Sequence, residues 1–249
     1  MGNSAPVALI TGAAKRIGAQ IAKKLHAEGF NVIIHYNRSM HKANVLVDQL
    51  NVTRSNSATS LSADLCNLSM IDSLAEQALA SWGHVDVLVN NASSFYPTPI
   101  GGITDSDWSS LVGSNVKGPL FLTQALAPAL KARSGSIVNM VDMHIDRPLP
   151  SHSVYLIAKN GLASLTRSLA TELAPNIRVN GIGPGAILWP ERDMEEEEKQ
   201  KLIDTIPLGT LGSPEDIADT VWFLINAPYI TGQILYVDGG RSLYTSASA

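Results

Sequence analysis

Short runs of aliphatic and β-branched residues alternate with longer stretches whose apolar positions recur every three or four residues. Val7-Ala8-Leu9-Ile10 reads as a buried strand, and Ile17, Ile21 and Leu25 then predict a helix over Ile17 to Ala27, stopped at Gly29. Asn31 to Tyr36 is the next predicted strand, Met40 to Leu50 a helix, Ala58 to Leu61 a short third strand, Ser69 to Trp82 a helix, and Val85 to Val89 a fourth strand. The alternation continues in the second half. Asp105 to Ala132 predicts one long helix or two joined ones, with Pro119 and Pro128 arguing for a kink or break. Gly135 to Met140 is a strand, and Val154, Ala158, Leu162, Leu165, Leu169 and Leu173 form one stripe of a helix that ends before Pro175. Ile177 to Ile182, Glu215 to Ile225 and Ile234 to Val237 complete the pattern as strand, helix and strand. So regular an alternation predicts an α/β fold: one doubly wound, Rossmann-type parallel sheet of about seven strands with helices on both faces. Ligands of such sheets bind at the carboxyl ends of the strands, where the strand order reverses.

Composition narrows this picture. The chain has 249 residues, 45% of them hydrophobic and 16% charged, which is enough apolar material for one sizeable core. A single domain over 1–249 is expected, with a cofactor half over about 1–140 and a catalytic half over about 141–249. The formal net charge of -4 and the lack of a basic patch argue against a nucleic-acid partner. Cys66 is the one cysteine, so a disulfide within the chain is excluded, and no metal site is expected. The apolar run Val7–Ile10 is too short for a signal peptide, and no run approaches the roughly 20 residues of a membrane span. The expectation is a cytoplasmic protein without a membrane partner. Glu195 to Glu198 with Lys199 reads as a solvated helix face.

Two clusters carry candidate chemistry. The first strand runs into Thr11-Gly12-Ala13-Ala14-Lys15-Arg16-Ile17-Gly18, a strand, glycine turn and helix start. Gly12 permits the turn, Gly18 lets the helix approach the sheet, and the free N–H groups at the helix end favour a pyrophosphate. An NAD site would place an acid about 20 residues later, on the ribose. The residues here are His35-Tyr36-Asn37-Arg38-Ser39, with no acid. Arg38 can pair with a 2′-phosphate, Ser39 can donate to it, and Arg16 is a third candidate donor, so NADPH is the expected cofactor. Asp64 ends the third strand, where it can accept from an adenine amino group or cap the next helix, and Asn90-Asn91-Ala92 ends the fourth, suited to cofactor contacts or to a turn.

The second cluster is Tyr155 and Lys159, four apart and therefore on one helix face. A lysine beside a phenol favours phenolate, which predicts a proton relay near neutral pH.

Taken together, Thr11-Gly12 with Gly18, Asn90-Asn91-Ala92, Asn115, Tyr155-x-x-x-Lys159, Pro184-Gly185, Tyr229-Ile230-Thr231-Gly232 and Val237-Asp238-Gly239-Gly240 resemble the short-chain dehydrogenase/reductases over essentially the whole chain. Two departures from the common pattern are informative. Arg16 replaces the middle glycine of the turn, and Asp142 replaces the usual catalytic serine thirteen positions before the tyrosine. Both are similar to pteridine reductases, as are the stretches Thr11 to Gly18, His35 to Ser39 and Asn90 to Pro99. The resemblance implies a catalytic set of Asp142, Tyr155, Lys159 and Asn115, with Tyr155 as proton donor and Asn115 holding a helix kink and a relay water. It implies cofactor contacts at Gly12, Lys15, Arg16, Ile17, Gly18, Tyr36, Asn37, Arg38, Ser39, Asp64, Leu65, Asn91, Ala92, Ser93, Met140, Tyr155, Lys159, Pro184 and Gly185, with Lys159 on the nicotinamide ribose. Arg16, Ser93, Phe95, Asp142 and Tyr155 would contact the substrate, Phe95 by stacking on a pterin. A lid over about 186–210 is expected to cover it, with Ile187, Leu188 and Trp189 as apolar walls.

The implied activity is NADPH-dependent reduction of a dihydropterin to the tetrahydro form, with oxidised pterin and dihydrofolate as further candidates, in a homotetramer. Pterin chemistry needs hydride at a ring carbon and a proton at nitrogen, and Asp142 beside Tyr155 would form a coupled acid pair suited to that. Two alternatives remain: a carbonyl or 3-oxoacyl reductase, and a non-catalytic NADP(H)-binding sensor.

Overall fold

A computed structural model describes residues 5–189 and 193–243. The elements in chain order are β1 Val7–Ile10, α1 Arg16–Ala27, β2 Asn31–Tyr36, α2 Met40–Thr53, β3 Ala58–Ser62, α3 Leu68–Trp82, β4 Val87–Asn90, α4 Asp105–Val112, α5 Gly118–Ala132, β5 Ser136–Met140, α6 Ser153–Glu172, β6 Arg178–Pro184, α7 Glu196–Ile203, α8 Pro214–Asn226 and β7 Ile234–Val237. The strands form one seven-stranded sheet in the order β3-β2-β1-β4-β5-β6-β7, with every pairing parallel. This is the predicted doubly wound α/β architecture.

Alternation within the strands explains why helices cover both faces. Val7 and Leu9 of β1 belong to one apolar core with Ile71 and Leu74 of α3 and Leu122 and Leu126 of α5. Their neighbours Ala8 and Ile10 point the other way, into a second core with Ile21 and Leu25 of α1 and Val221 and Leu224 of α8. All four of these β1 side chains are fully buried, and each large aliphatic residue so placed contributes roughly 1.5–3 kcal/mol. A strand buried on both faces reads as the continuous apolar run seen in the sequence. The reversal of strand order falls between β1 and β4, so their carboxyl ends open a crevice at Gly12 and Asn91.

Several boundaries differ from the sequence pattern. β4 begins at Val87 rather than Val85, because the Asp86 carboxylate turns to accept from the Val7 N–H and from Arg133 at 2.7 Å each. The stretch 105–132 is two helices joined across a π-helical turn at Gly113–Lys117. The kink therefore falls at Asn115 and not at a proline. Pro119 sits in the first turn of α5, where its missing N–H costs nothing, and α5 runs on through Pro128 on its exposed side. The acidic run does form a solvated helix, α7, laced by Glu196–Lys199 and Glu197–Lys201 ion pairs at 2.5 and 2.7 Å. Residues 190–192 of the expected lid lie outside the described residues. Ile187 is not a wall of the substrate space: it is buried in the α1/α8 core, whereas Trp189 stays partly exposed. Among the described residues, no helix is long and apolar enough to cross a membrane.

Candidate active site

The glycine turn after β1 is held from two sides. Gly12 has φ +62°, and a Cβ there would meet the Ala92 Cα at 2.9 Å. Asn91 Nδ2 donates to the Thr11 carbonyl at 2.8 Å and the Gly12 carbonyl at 3.2 Å, while the backbone N–H groups of Asn91 and Ala92 donate to Thr11 Oγ1. Asn91 thus braces the turn as well as ending β4. Arg16 adopts φ +54°, a left-handed conformation that a glycine would take more cheaply, by about 1–2 kcal/mol. Lys15 precedes α1 in an extended conformation and makes no side-chain capping bond, so the first N–H groups of α1 have no cap from that residue.

All the expected cofactor residues from Gly12 to Ser93 line one cleft of about 610 Å³ along these strand ends. Arg38 is exposed there. Ser39 stands at the N-terminus of α2 without a capping bond, and it lines the cleft together with Arg38. Asp64 turns back to accept from the Cys66 N–H at 2.9 Å, and it is Asn67 that caps α3. The cleft thus suits a dinucleotide: a helix start without a side-chain cap, close-approach glycines, and Arg38 and Ser39 beside the end of β2. Met140, Pro184 and Gly185 are not among its lining residues. Met140 enters by its carbonyl, which accepts from Lys159 Nζ at 2.8 Å; Pro184 ends β6, and the Gly185 N–H donates to Val237 at 2.9 Å.

Beside the cleft, α6 carries Tyr155 and Lys159 on one face, both buried. Asp142 lies two residues past the end of β5. Its Oδ1 accepts from the His144 N–H at 2.8 Å, capping a 3-10 turn at Met143–Ile145, and its Oδ2 accepts a short hydrogen bond from the Tyr155 hydroxyl. Asp142 is therefore both a cap and the partner of the phenol. Burial first, and then the charge and hydrogen bond of Asp142, hold the Tyr155 proton on well above the ordinary phenol range. This differs from the phenolate that lysine alone would favour, because the carboxylate lies at the hydroxyl. Lys159 Nζ, by contrast, is 5.7 Å from the ring centroid and already donates to Met140. Burial lowers Lys159 to about 8, against the opposing pull of Asp142, so it is still mostly protonated at pH 7.

Asn115 is fully buried in the π-helical turn. Its Nδ2 donates to the Leu111 and Ser94 carbonyls at 2.9 Å each, and its Oδ1 accepts from Ser93 Oγ at 2.7 Å. It holds the kink and ties the loop after β4 to it. Ser93 also acts on Tyr155 as a hydrogen-bonding neighbour, opposing the upward shift of the phenol. Phe95, on the same loop, is 56% exposed and is no core ring. It meets Tyr155 edge to face at 4.9 Å and stacks on His152 at 4.8 Å with 14° between planes. His152 escaped the sequence reading, although its place three residues before Tyr155 is the helical spacing that would have flagged it. His35, part of the stretch that runs to Ser39, has no role of its own in that reading.

The comparisons with known proteins agree with this geometry. A family model described as Enoyl-(Acyl carrier protein) reductase matches residues 12–242. The chain belongs to the short-chain dehydrogenase/reductase family, and is an oxidoreductase that works with a nicotinamide cofactor. It is 42% identical to pteridine reductase 1 of Leishmania tarentolae, covering 96% of this chain and 97% of that one. It is 34% identical to the 3-oxoacyl-(acyl-carrier-protein) reductase FabG of Staphylococcus aureus, covering 94% and 96%.

Proposed function

We propose that the chain is an NADPH-dependent pteridine reductase that converts dihydropterins to their tetrahydro forms. The observation that carries this reading is the Asp142–Tyr155 hydrogen bond: a carboxylate stands where a carbonyl reductase of this family would present a neutral hydroxyl. The 42% identity to a pteridine reductase supports it.

In this reading Gly12, Lys15 and the start of α1 take the pyrophosphate, and Arg38 and Ser39 take the 2′-phosphate. Lys159 and Asn91 sit on the nicotinamide side. The cofactor supplies a hydride to a ring carbon of the substrate. The protein supplies the proton. Tyr155 and Asp142 hold one between their oxygens; burial and the carboxylate keep it on the phenol and oppose its release, so the driving force is the basicity that the ring nitrogen gains as hydride reaches the neighbouring carbon. The Lys159 charge compensates the anion left on the pair. Phe95 offers an exposed aromatic ring to a flat heterocycle, with Ser93 and Arg16 as polar contacts.

The test is NADPH consumption with 7,8-dihydrobiopterin, dihydromonapterin, dihydrofolate and biopterin, with methotrexate as competitor. Turnover with at least one, inhibited by methotrexate, is expected, and Asp142→Ala is expected to lose it while still binding NADPH. No turnover with any of the four would refute the proposal. The exposed apolar residues Trp108 on α4, Leu120 on α5 and Ile157 on α6 support a homotetramer joined through these helices. A cytoplasmic location follows from the same reading.

A further inference from the structure

His35 is buried at the end of β2 and has no part in the hydride or proton chemistry. Its ring lies between two segments of the cleft. Nδ1 is 3.1 Å from the Gly12 N–H, and Nε2 is 3.1 Å from the Ala63 carbonyl, just past β3. Since the Gly12 N–H must donate, Nδ1 is the bare nitrogen and Nε2 carries the hydrogen, which Ala63 accepts. One neutral tautomer satisfies both bonds at once. The backbone repeats the link on either side, with the Ala13 N–H donating to the His35 carbonyl at 2.9 Å and the Ala63 N–H to the Tyr36 carbonyl at 3.1 Å.

We infer that His35 is a positioning residue of the cofactor cleft, a strut that fixes the glycine turn against the end of β3 and so sets the separation of the phosphate-binding and adenine-binding sides. This rests on reading the cleft as a dinucleotide site. Asn91 takes the carbonyls of Thr11 and Gly12 from one side, and His35 takes the Gly12 N–H from the other. The turn's peptide planes are thereby fixed before any ligand arrives, and the N–H groups at the start of α1 are left for the pyrophosphate. Burial supports the assignment by lowering the ring to about 4, with the Ala63 hydrogen bond and Asp64 opposing, so the ring stays neutral throughout the working pH range. An apolar side chain of similar size would fill the space and lose the acceptor.

The experiment compares full-length wild type, His35→Asn and His35→Leu. NADPH and NADH dissociation constants are measured by calorimetry, together with thermal midpoints, kcat and the KM for NADPH. Asn places an oxygen where Nδ1 stands, whereas Leu offers none. His35→Leu is expected to weaken NADPH binding at least about tenfold, because a turn no longer held in place must be ordered when the dinucleotide binds, and to raise KM far more than it lowers kcat. His35→Asn keeps the acceptor for the Gly12 N–H but loses the donor to Ala63, so its NADPH affinity is expected to fall between those of wild type and His35→Leu. In histidine-labelled wild type, nitrogen NMR is expected to show His35 with a bare Nδ1 and a protonated Nε2. Leu binding NADPH as wild type does, even with a lowered midpoint, would reduce His35 to packing and overturn the inference. So would Asn no better than Leu, or a protonated Nδ1; should the Leu variant fail to fold, the Asn affinity and the NMR tautomer decide. A wild type that binds neither dinucleotide would overturn the reading of the cleft itself, and the strut with it.

Discussion

Asp142 and Tyr155 are thirteen residues apart in the chain and meet because β5 ends where α6 turns its first buried face toward the sheet. The Asp142 carboxylate helps hold the proton on Tyr155, and Lys159 Nζ lies 5.7 Å from the centroid of the phenol ring. The sign of the pH dependence follows from Lys159. In the proposed reaction its charge would stabilise the pair as the proton leaves, and that charge is lost as pH rises through about 8. Turnover is therefore expected to hold between about pH 6 and 8 and to fall above 8, which a kcat–pH profile at saturating substrates checks; a rate still rising at pH 9 would contradict it. Arg38 makes a separate prediction. On the proposed reading, Arg38→Ala would remove a charged donor to the 2′-phosphate, worth about 1.5–3 kcal/mol. NADPH affinity is expected to fall about tenfold or more while NADH affinity stays within twofold, measured by calorimetry. Both residues were legible in the sequence. What was not legible was the direction of the Tyr155 shift, because it depends on which neighbour, the Asp142 carboxylate or the Lys159 ammonium, lies at the hydroxyl.

The elements transmit their constraints through close approaches. A Cβ on Gly18 would lie 2.5 Å from Asn91 Nδ2 and 2.6 Å from the Gly12 carbonyl. Gly18→Ala must push α1 away from the turn or displace the Asn91 side chain, and either breaks the bracing of the cofactor loop. It is expected to weaken NADPH binding at least tenfold and to destabilise the fold by about 1–3 kcal/mol, read from calorimetry and denaturant unfolding. Most elements could be read from periodicity, since strands buried on both faces and helices with one apolar stripe leave distinct patterns. The exceptions have local causes. The kink at Asn115 comes from a side chain bonding the Leu111 carbonyl, and Asp86 is drawn out of β4 by the Val7 N–H; such long-range and backbone partners leave no trace in the hydrophobic pattern. The place of Ile187 in the core was hidden for the same reason: its apolarity suits a ligand wall and a helix interface equally.

For the whole molecule, the sheet order places the ends of β1, β4 and β5 side by side, so one crevice receives both the glycine turn and the loop that carries Asp142. The outer faces of α4, α5 and α6 leave Trp108, Leu120 and Ile157 in solvent, and burying them between subunits would add apolar area without touching the crevice. Sedimentation equilibrium is expected to give a mass of four chains, and a stable monomer at micromolar concentration would refute the tetramer. On the proposed reading, the carboxylate bonded to the Tyr155 phenol suits the site to a ring C=N bond rather than to a ketone. That claim is tested most directly by the ratio of kcat/KM for a 7,8-dihydropterin to that for a 3-oxoacyl thioester, both with NADPH and the wild-type protein. A ratio of at least about a hundred, some 2.7 kcal/mol of discrimination, is the predicted result; a ratio below one would contradict it.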